Sequence, residues 1–144
     1  MSPIDILLVE DNDDDIVLIR EALEDARLLN MLHVVTDGQE AMEYLRQQGR
    51  HQDVAPPGLV LLDINMPKKN GFEVLIEMKA IPALRHIPVV MLTSSDREED
   101  IVRSYSDGAS SFIRKPVNFN DFQEVIKQFA IYWALVVKVP PVQR

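Results

Sequence analysis

The chain predicts an α/β fold, a parallel five-stranded sheet covered by helices on both faces. Three observations predict it. Strand-length apolar runs recur at Ile4–Val9, Leu32–Thr36, Leu59–Leu62, Val89–Leu92 and Ser111–Arg114. Segments of helical periodicity separate them, so β-α repeats five times. The runs are near-continuously apolar, which marks strands buried on both faces in a parallel sheet.

Each element has its own local signal. Ile6-Leu7-Leu8-Val9 ends in Glu10-Asp11, and Asp13, Asp14 and Asp15 then open a helix whose dipole favours acids in the first turn. Ile16, Ile19, Leu23 and Ala26 share one face of that helix. After the second strand, Asp37 with Glu40 three residues on reads as a capping box opening a helix over Ala41–Gln47, and Gly49 is placed to cap its end. Gln48–Gly58, which holds Pro56-Pro57, reads as a surface connection. The third strand closes at Asp63. Asn70 and Glu73 repeat the capping box before Val74–Ala80, and Pro82 stops that helix. Ser95 or Asp96 caps a fourth helix, Arg97–Ser106, which ends at Gly108. The fifth strand runs into Lys115-Pro116, and Asn118 or Asn120 opens a last helix from about Asp121 to Lys138. Its stripe of Phe122, Val125, Ile126, Phe129 and Trp133 is spaced to face the sheet.

Composition narrows the function. The 144 residues suit one domain, and 47% hydrophobic with 26% charged residues is ordinary for a soluble protein. A net charge of −8 and a pI near 4.8 exclude nucleic-acid backbone binding as the main activity. With no cysteine there is no disulfide and no thiolate metal site, which suits a cytoplasmic location. The N-terminus shows no signal-peptide pattern, and the longest apolar run, Phe129 to Val137, is too short to cross a bilayer. No membrane association is expected.

The chemistry gathers at strand ends. Open α/β sheets place their sites outside the carboxyl ends of the strands. There the first strand delivers Glu10 and Asp11, and the third delivers Asp63. Each acid alone is an ordinary solvated loop residue. Three together repel unless a divalent cation sits among them, and a hard cation such as Mg²⁺ takes carboxylates, waters and phosphate oxygens. The fourth strand adds Thr93 and Ser94, and the fifth adds Lys115. Metal, hydroxyl and ammonium are what a phosphoryl group carried on a carboxylate requires.

These segments (Leu7-Leu8-Val9-Glu10-Asp11-Asn12, Leu61-Leu62-Asp63-Ile64-Asn65-Met66-Pro67, Met91-Leu92-Thr93-Ser94 and Arg114-Lys115-Pro116) resemble the receiver domain of two-component response regulators, over essentially the whole chain. The resemblance implies a flavodoxin-like, doubly wound sheet in the order 2-1-3-4-5 that chemotaxis receivers share. It implies that Asp63 is the phosphoacceptor. Mg²⁺ would be bound by the carboxylates of Asp11 and Asp63, by the Asn65 backbone carbonyl, and by Glu10 through water. Thr93 and Lys115 would engage the phosphoryl group, Lys115-Pro116 would be a cis peptide, and Phe112 would be the switch aromatic. The partner would be a sensor histidine kinase, with no catalysis beyond the chain's own phosphorylation and dephosphorylation.

The end of the chain suggests a subgroup. From Phe129 to Val137 every residue is apolar, and a helix apolar all round is covered on more than one side. Phe129, Tyr132, Trp133, Leu135 and Val136 are therefore candidates for a partner surface. This ending resembles the single-domain regulators partnered with phytochrome-type kinases, which implies a homodimer through an extended C-terminal helix and a single receiver domain, 1–144, without an output domain. Two rivals exist. A Mg²⁺-dependent phosphatase needs a second acid two residues past its nucleophile, and here that residue is Asn65. A degenerate scaffold would have lost site residues, and all are present.

Overall fold

The computed structural model describes residues 5–25, 27, 32–93, 98–109, 111–115, 120–121 and 123–128. The elements are β1 (Ile6–Val9), α1 (Asp13–Asp25), β2 (Leu32–Val35), α2 (Gly38–Leu45), a 3₁₀ turn (Gly49–His51), β3 (Leu59–Asp63), α3 (Gly71–Ala80), β4 (Val89–Thr93), α4 (Glu98–Ser106) and β5 (Ser111–Arg114). Residues 120–121 and 123–128 are also helical and constitute α5. The strands are all parallel, in the order β2-β1-β3-β4-β5. That is the doubly wound order the receiver-domain resemblance implies.

Alternation along the strands divides the core in two. Leu7, Val9, Val60, Leu62, Val89 and Met91 pack with Ala41, Met42 and Leu45 of α2 and with Phe72, Leu75 and Met78 of α3. Ile6, Leu8, Leu59, Leu61, Val90 and Leu92 pack with Ile16, Ile19 and Leu23 of α1 and with Ile126 of α5. The strands are apolar on both sides because both sides are covered. Val125 departs from its expected sheet-facing place and is 37% exposed. Its neighbour Ile126 is buried against the α1 side of the sheet instead.

Two of the helix ends follow the sequence closely. Asn70 accepts from the Glu73 N–H and Glu73 reaches back to the Asn70 N–H, a complete capping box for α3. Gly108, at φ 106, closes α4 in the left-handed region. At α2 half of the expected box forms. Asp37 accepts from the Glu40 N–H at 2.7 Å, while the Glu40 carboxylate pairs with Arg50 and His51 of the 3₁₀ turn. The end of α2 corrects the expectation of a Gly49 cap. Gln48 N–H donates to Glu43 C=O and Gln47 N–H to Tyr44 C=O, which is a Schellman closure with Gln47 at φ 57 in the left-handed position. Gly49 instead begins the 3₁₀ turn.

Pro116, and with it the expected cis bond, lies outside the described residues, as do Ser94, Ser95, Asp96, Asn118 and Phe122. The partner-surface candidates Phe129, Tyr132, Trp133, Leu135 and Val136 lie outside them too.

Close packing fixes the loop that follows β3. A Cβ on Gly71 would come within 2.4 Å of the Asp63 carbonyl oxygen and 2.8 Å of the Ile64 Cα, both backbone atoms. The Gly71 N–H donates to the Ile64 carbonyl at 2.8 Å, so residues 64–71 form a closed loop. Gly71→Ala is therefore expected to cost about 2 kcal/mol in urea-induced unfolding. A loss under about half a kcal/mol would show that the loop can open without strain.

Candidate functional site

Among the described residues, the buried polar side chains are Glu10, Asp63 and Thr93. All three stand at the carboxyl edge of the sheet. Burying polar groups there is costly unless they are paired, and the structure shows the pairing. Lys115 Nζ donates to Glu10 Oε1 at 2.6 Å and to Asp15 Oδ2 at 2.7 Å, and lies 3.4 Å from Asp63 Oδ1. Glu10 Oε2 also accepts from the Asn12 N–H at 3.2 Å.

Strand alternation explains which groups meet. Glu10 continues the Ile6–Leu8 face of β1, Asp63 the Leu59–Leu61 face of β3, and Lys115 the Ile113 face of β5. All three faces look toward α1, where Asp15 occupies the first turn. Asn12 fixes that turn by accepting from the Asp15 N–H through its side chain at 2.9 Å. Thr93 continues the Val89–Met91 face of β4 toward α2 and α3. Phe112 lies on that same side, half-buried against the core. The Thr93 carbonyl accepts from the Lys115 N–H at 2.7 Å, which ties the ends of β4 and β5 together.

The charges do not balance. Among the described residues, Glu10, Asp15 and Asp63 contact the Lys115 ammonium, and Asp11 adds a fourth carboxyl beside Glu10 and Asp63. Oxygens of Glu10, Asp11 and Asp63 all lie within 4.8 Å of one another. Burial, followed by the charge of Glu10, pushes the Asp63 carboxyl up to about 7 despite Lys115. Burial also raises Glu10, against the opposing pull of Lys115. For Lys115 burial works against the charged form, but attraction to Asp63 and Glu10 outweighs it and its pKa rises. A hard divalent cation fits this arrangement. It would supply the missing positive charge to three convergent oxygen donors.

The sequence anticipates most of this edge. Glu10, Asp11, Asp63 and Lys115 meet as expected, Thr93 is buried at the same sheet edge but on the α2–α3 face, and Asn65 lies exposed on the loop just past Asp63. Asp15 is the exception: its first-turn position is as expected, but it bonds the site lysine directly. Asp11 lies before α1, which begins at Asp13, so no helical spacing singles Asp15 out of the acidic run.

Residues 6–127 match the model of the response regulator receiver domain family. The chain is 39% identical over 135 residues to response regulator Rcp1 of Synechocystis sp., covering 94% of this chain and 92% of that one. The crystal structure of the phosphorylated cyanobacterial phytochrome response regulator RcpA superposes with a TM-score of 0.91 at 41% identity, covering 97% of this chain and all of that one. The Mn²⁺-bound form of Rcp1 gives 0.90 at 39% identity, covering 96% and 100%.

A divalent cation must displace protons from raised carboxyls, so its affinity should fall as pH drops below about 7, by roughly tenfold per unit for one competing proton. Calorimetric titration of the metal-free protein across that range checks the sign. An affinity independent of pH would contradict the raised Asp63.

Proposed function

The chain belongs to the response regulator receiver family, and we propose that Asp63 is its phosphoacceptor, taking a phosphoryl group from a phosphohistidine of a sensor histidine kinase. The observation that carries this is the placement of Asp63, 5% exposed at the end of β3 beside Glu10, Asp11 and Lys115. An Asp63 carboxylate oxygen attacks phosphorus, the bond from phosphorus to the donor's ring nitrogen breaks, and the electron pair stays with the imidazole. The product is an acyl phosphate. Lys115 pairs with the phosphoryl oxygens and Thr93 donates its hydroxyl to them. Glu10, Asp11, Asp63 and the Asn65 carbonyl would hold Mg²⁺, which supplies charge neutralisation at the phosphoryl oxygens.

Phe112, packed on the same side of the sheet as Thr93, is the proposed switch aromatic. The phosphorylated state and the Mn²⁺-bound form of the two structural relatives support both the phosphoacceptor and the metal assignment. The relative that is a phytochrome response regulator supports a phytochrome-type kinase as the partner. The match across 92% of the length of Rcp1 supports action as a receiver, and the cytoplasm is the proposed location. Output then passes through protein contacts, with a homodimer through Phe129, Tyr132, Trp133, Leu135 and Val136. The apolar run at those positions in the sequence supports that surface. The chain does not turn over other substrates, and binds neither nucleic acid nor membrane. Among the described residues no helix is long and apolar enough to cross one.

Incubation with acetyl phosphate and Mg²⁺ should add one phosphate to the intact mass, labile to hydroxylamine and absent in Asp63→Asn. An adduct that survives in Asp63→Asn would overturn the assignment. Trp133→Ala or Leu135→Glu should weaken self-association in sedimentation. A strictly monomeric parent would contradict the dimer.

A further inference from the structure

We propose that Asp15 is a positioning residue that holds Lys115 in the resting site, and that Lys115 exchanges Asp15 for a phosphoryl oxygen when Asp63 is phosphorylated. This rests on Asp63 being the phosphoacceptor.

Lys115 has three protons and three carboxylate neighbours. Its contacts to Glu10 at 2.6 Å and Asp15 at 2.7 Å are short charge-assisted bonds, whereas Asp63 at 3.4 Å lies beyond that range. The ammonium is thus drawn off the phosphoacceptor and toward α1. Asp15 differs from the other acids in one respect. Its oxygens are not among the converging set of Glu10, Asp11 and Asp63. A cation held by those three leaves Asp15 as the carboxylate still dedicated to Lys115. The Asp15 backbone is anchored by Asn12 at the start of a helix, so it cannot follow the lysine far.

Phosphorylation replaces the Asp63 carboxylate with a phosphoryl group of roughly −1.5 to −2 charge, a stronger anion close to the same ammonium. The phosphoryl group and Asp15 compete for it. Asp15 therefore opposes phosphorylation, setting how strongly the site must be driven before Lys115 is released to the phosphoryl group. The Asp15 side chain is 17% exposed, so its hold is partly screened and the competition is modest.

The test uses beryllofluoride with Mg²⁺, a phosphoryl analogue that is not turned over. Asp15→Asn keeps the side-chain shape and removes the charge, so beryllofluoride should bind about fivefold more tightly. Asp15→Glu should restore the parent value, and in a Lys115→Met background Asp15→Asn should no longer tighten binding. A second readout needs neither the metal nor a Lys115 variant. In metal-free protein, acylation of the Lys115 amine, mapped by mass spectrometry, should rise in Asp15→Asn. Unchanged or weaker binding, unchanged acylation, or tightening that persists without Lys115 would overturn the role of Asp15 while leaving the phosphoacceptor standing. A parent protein that binds no beryllofluoride would overturn both.

Discussion

The site is organised by one requirement, that the fully buried carboxylate of Glu10 have a cation. Lys115 meets it from 105 residues away in the chain, linking the end of β1, near the middle of the sheet, to the end of β5 at its edge. Neither group is comfortable alone, since an unpaired buried charge costs several kcal/mol. Among the described residues the pairing also leaves the site short of positive charge, with four carboxyl groups against one ammonium. A site built that way has a standing attraction for a divalent cation, and a reacting phosphoryl group needs such a cation.

The sequence discloses features that depend on local pattern and hides those that depend on which neighbour is reached first. The strands are legible because a sheet covered on both faces leaves every position apolar, as in Leu59–Leu62. The α3 capping box is legible because Asn70 and Glu73 satisfy each other within four residues. Glu40 has the same spacing, yet the folded chain offers it Arg50 and His51, and that alternative is invisible before folding. Gly49 misleads for a related reason. Glycine tolerates a left-handed backbone best, but the hydrogen-bond register of α2 puts the left-handed residue at Gln47. Asp15 falls in an acidic run whose general attraction to the helix dipole masks the specific bond of one member.

The loop after β3 shows how packing serves chemistry. Gly71 lets the start of α3 lie against the Asp63 carbonyl, and a Cβ on Gly38 would strike the Lys69 carbonyl at 2.0 Å. Two helices thus press on the segment that carries Asn65. Lys69 and Arg46 both pair with Glu77, and this ties α2 and α3 beneath the same segment. A nucleophile on such a base keeps its orientation while its partners change, which is the preorganisation that group transfer relies on.

The alternation of side chains along the strands has an evolutionary consequence. Adding or deleting one residue within β5 would rotate Lys115 from the α1 side to the α2–α3 side, stranding Glu10 and separating the ammonium from Asp63 and Asp15 in a single step. Inserting a residue into the 52–58 connection changes no such phase. Length variation in descendants of this chain should therefore be confined to the connections, while the strands that end in the site keep a fixed length. Point substitutions can be tolerated singly across the surface, but the reading frame of side chains in β1, β3 and β5 has to be inherited intact.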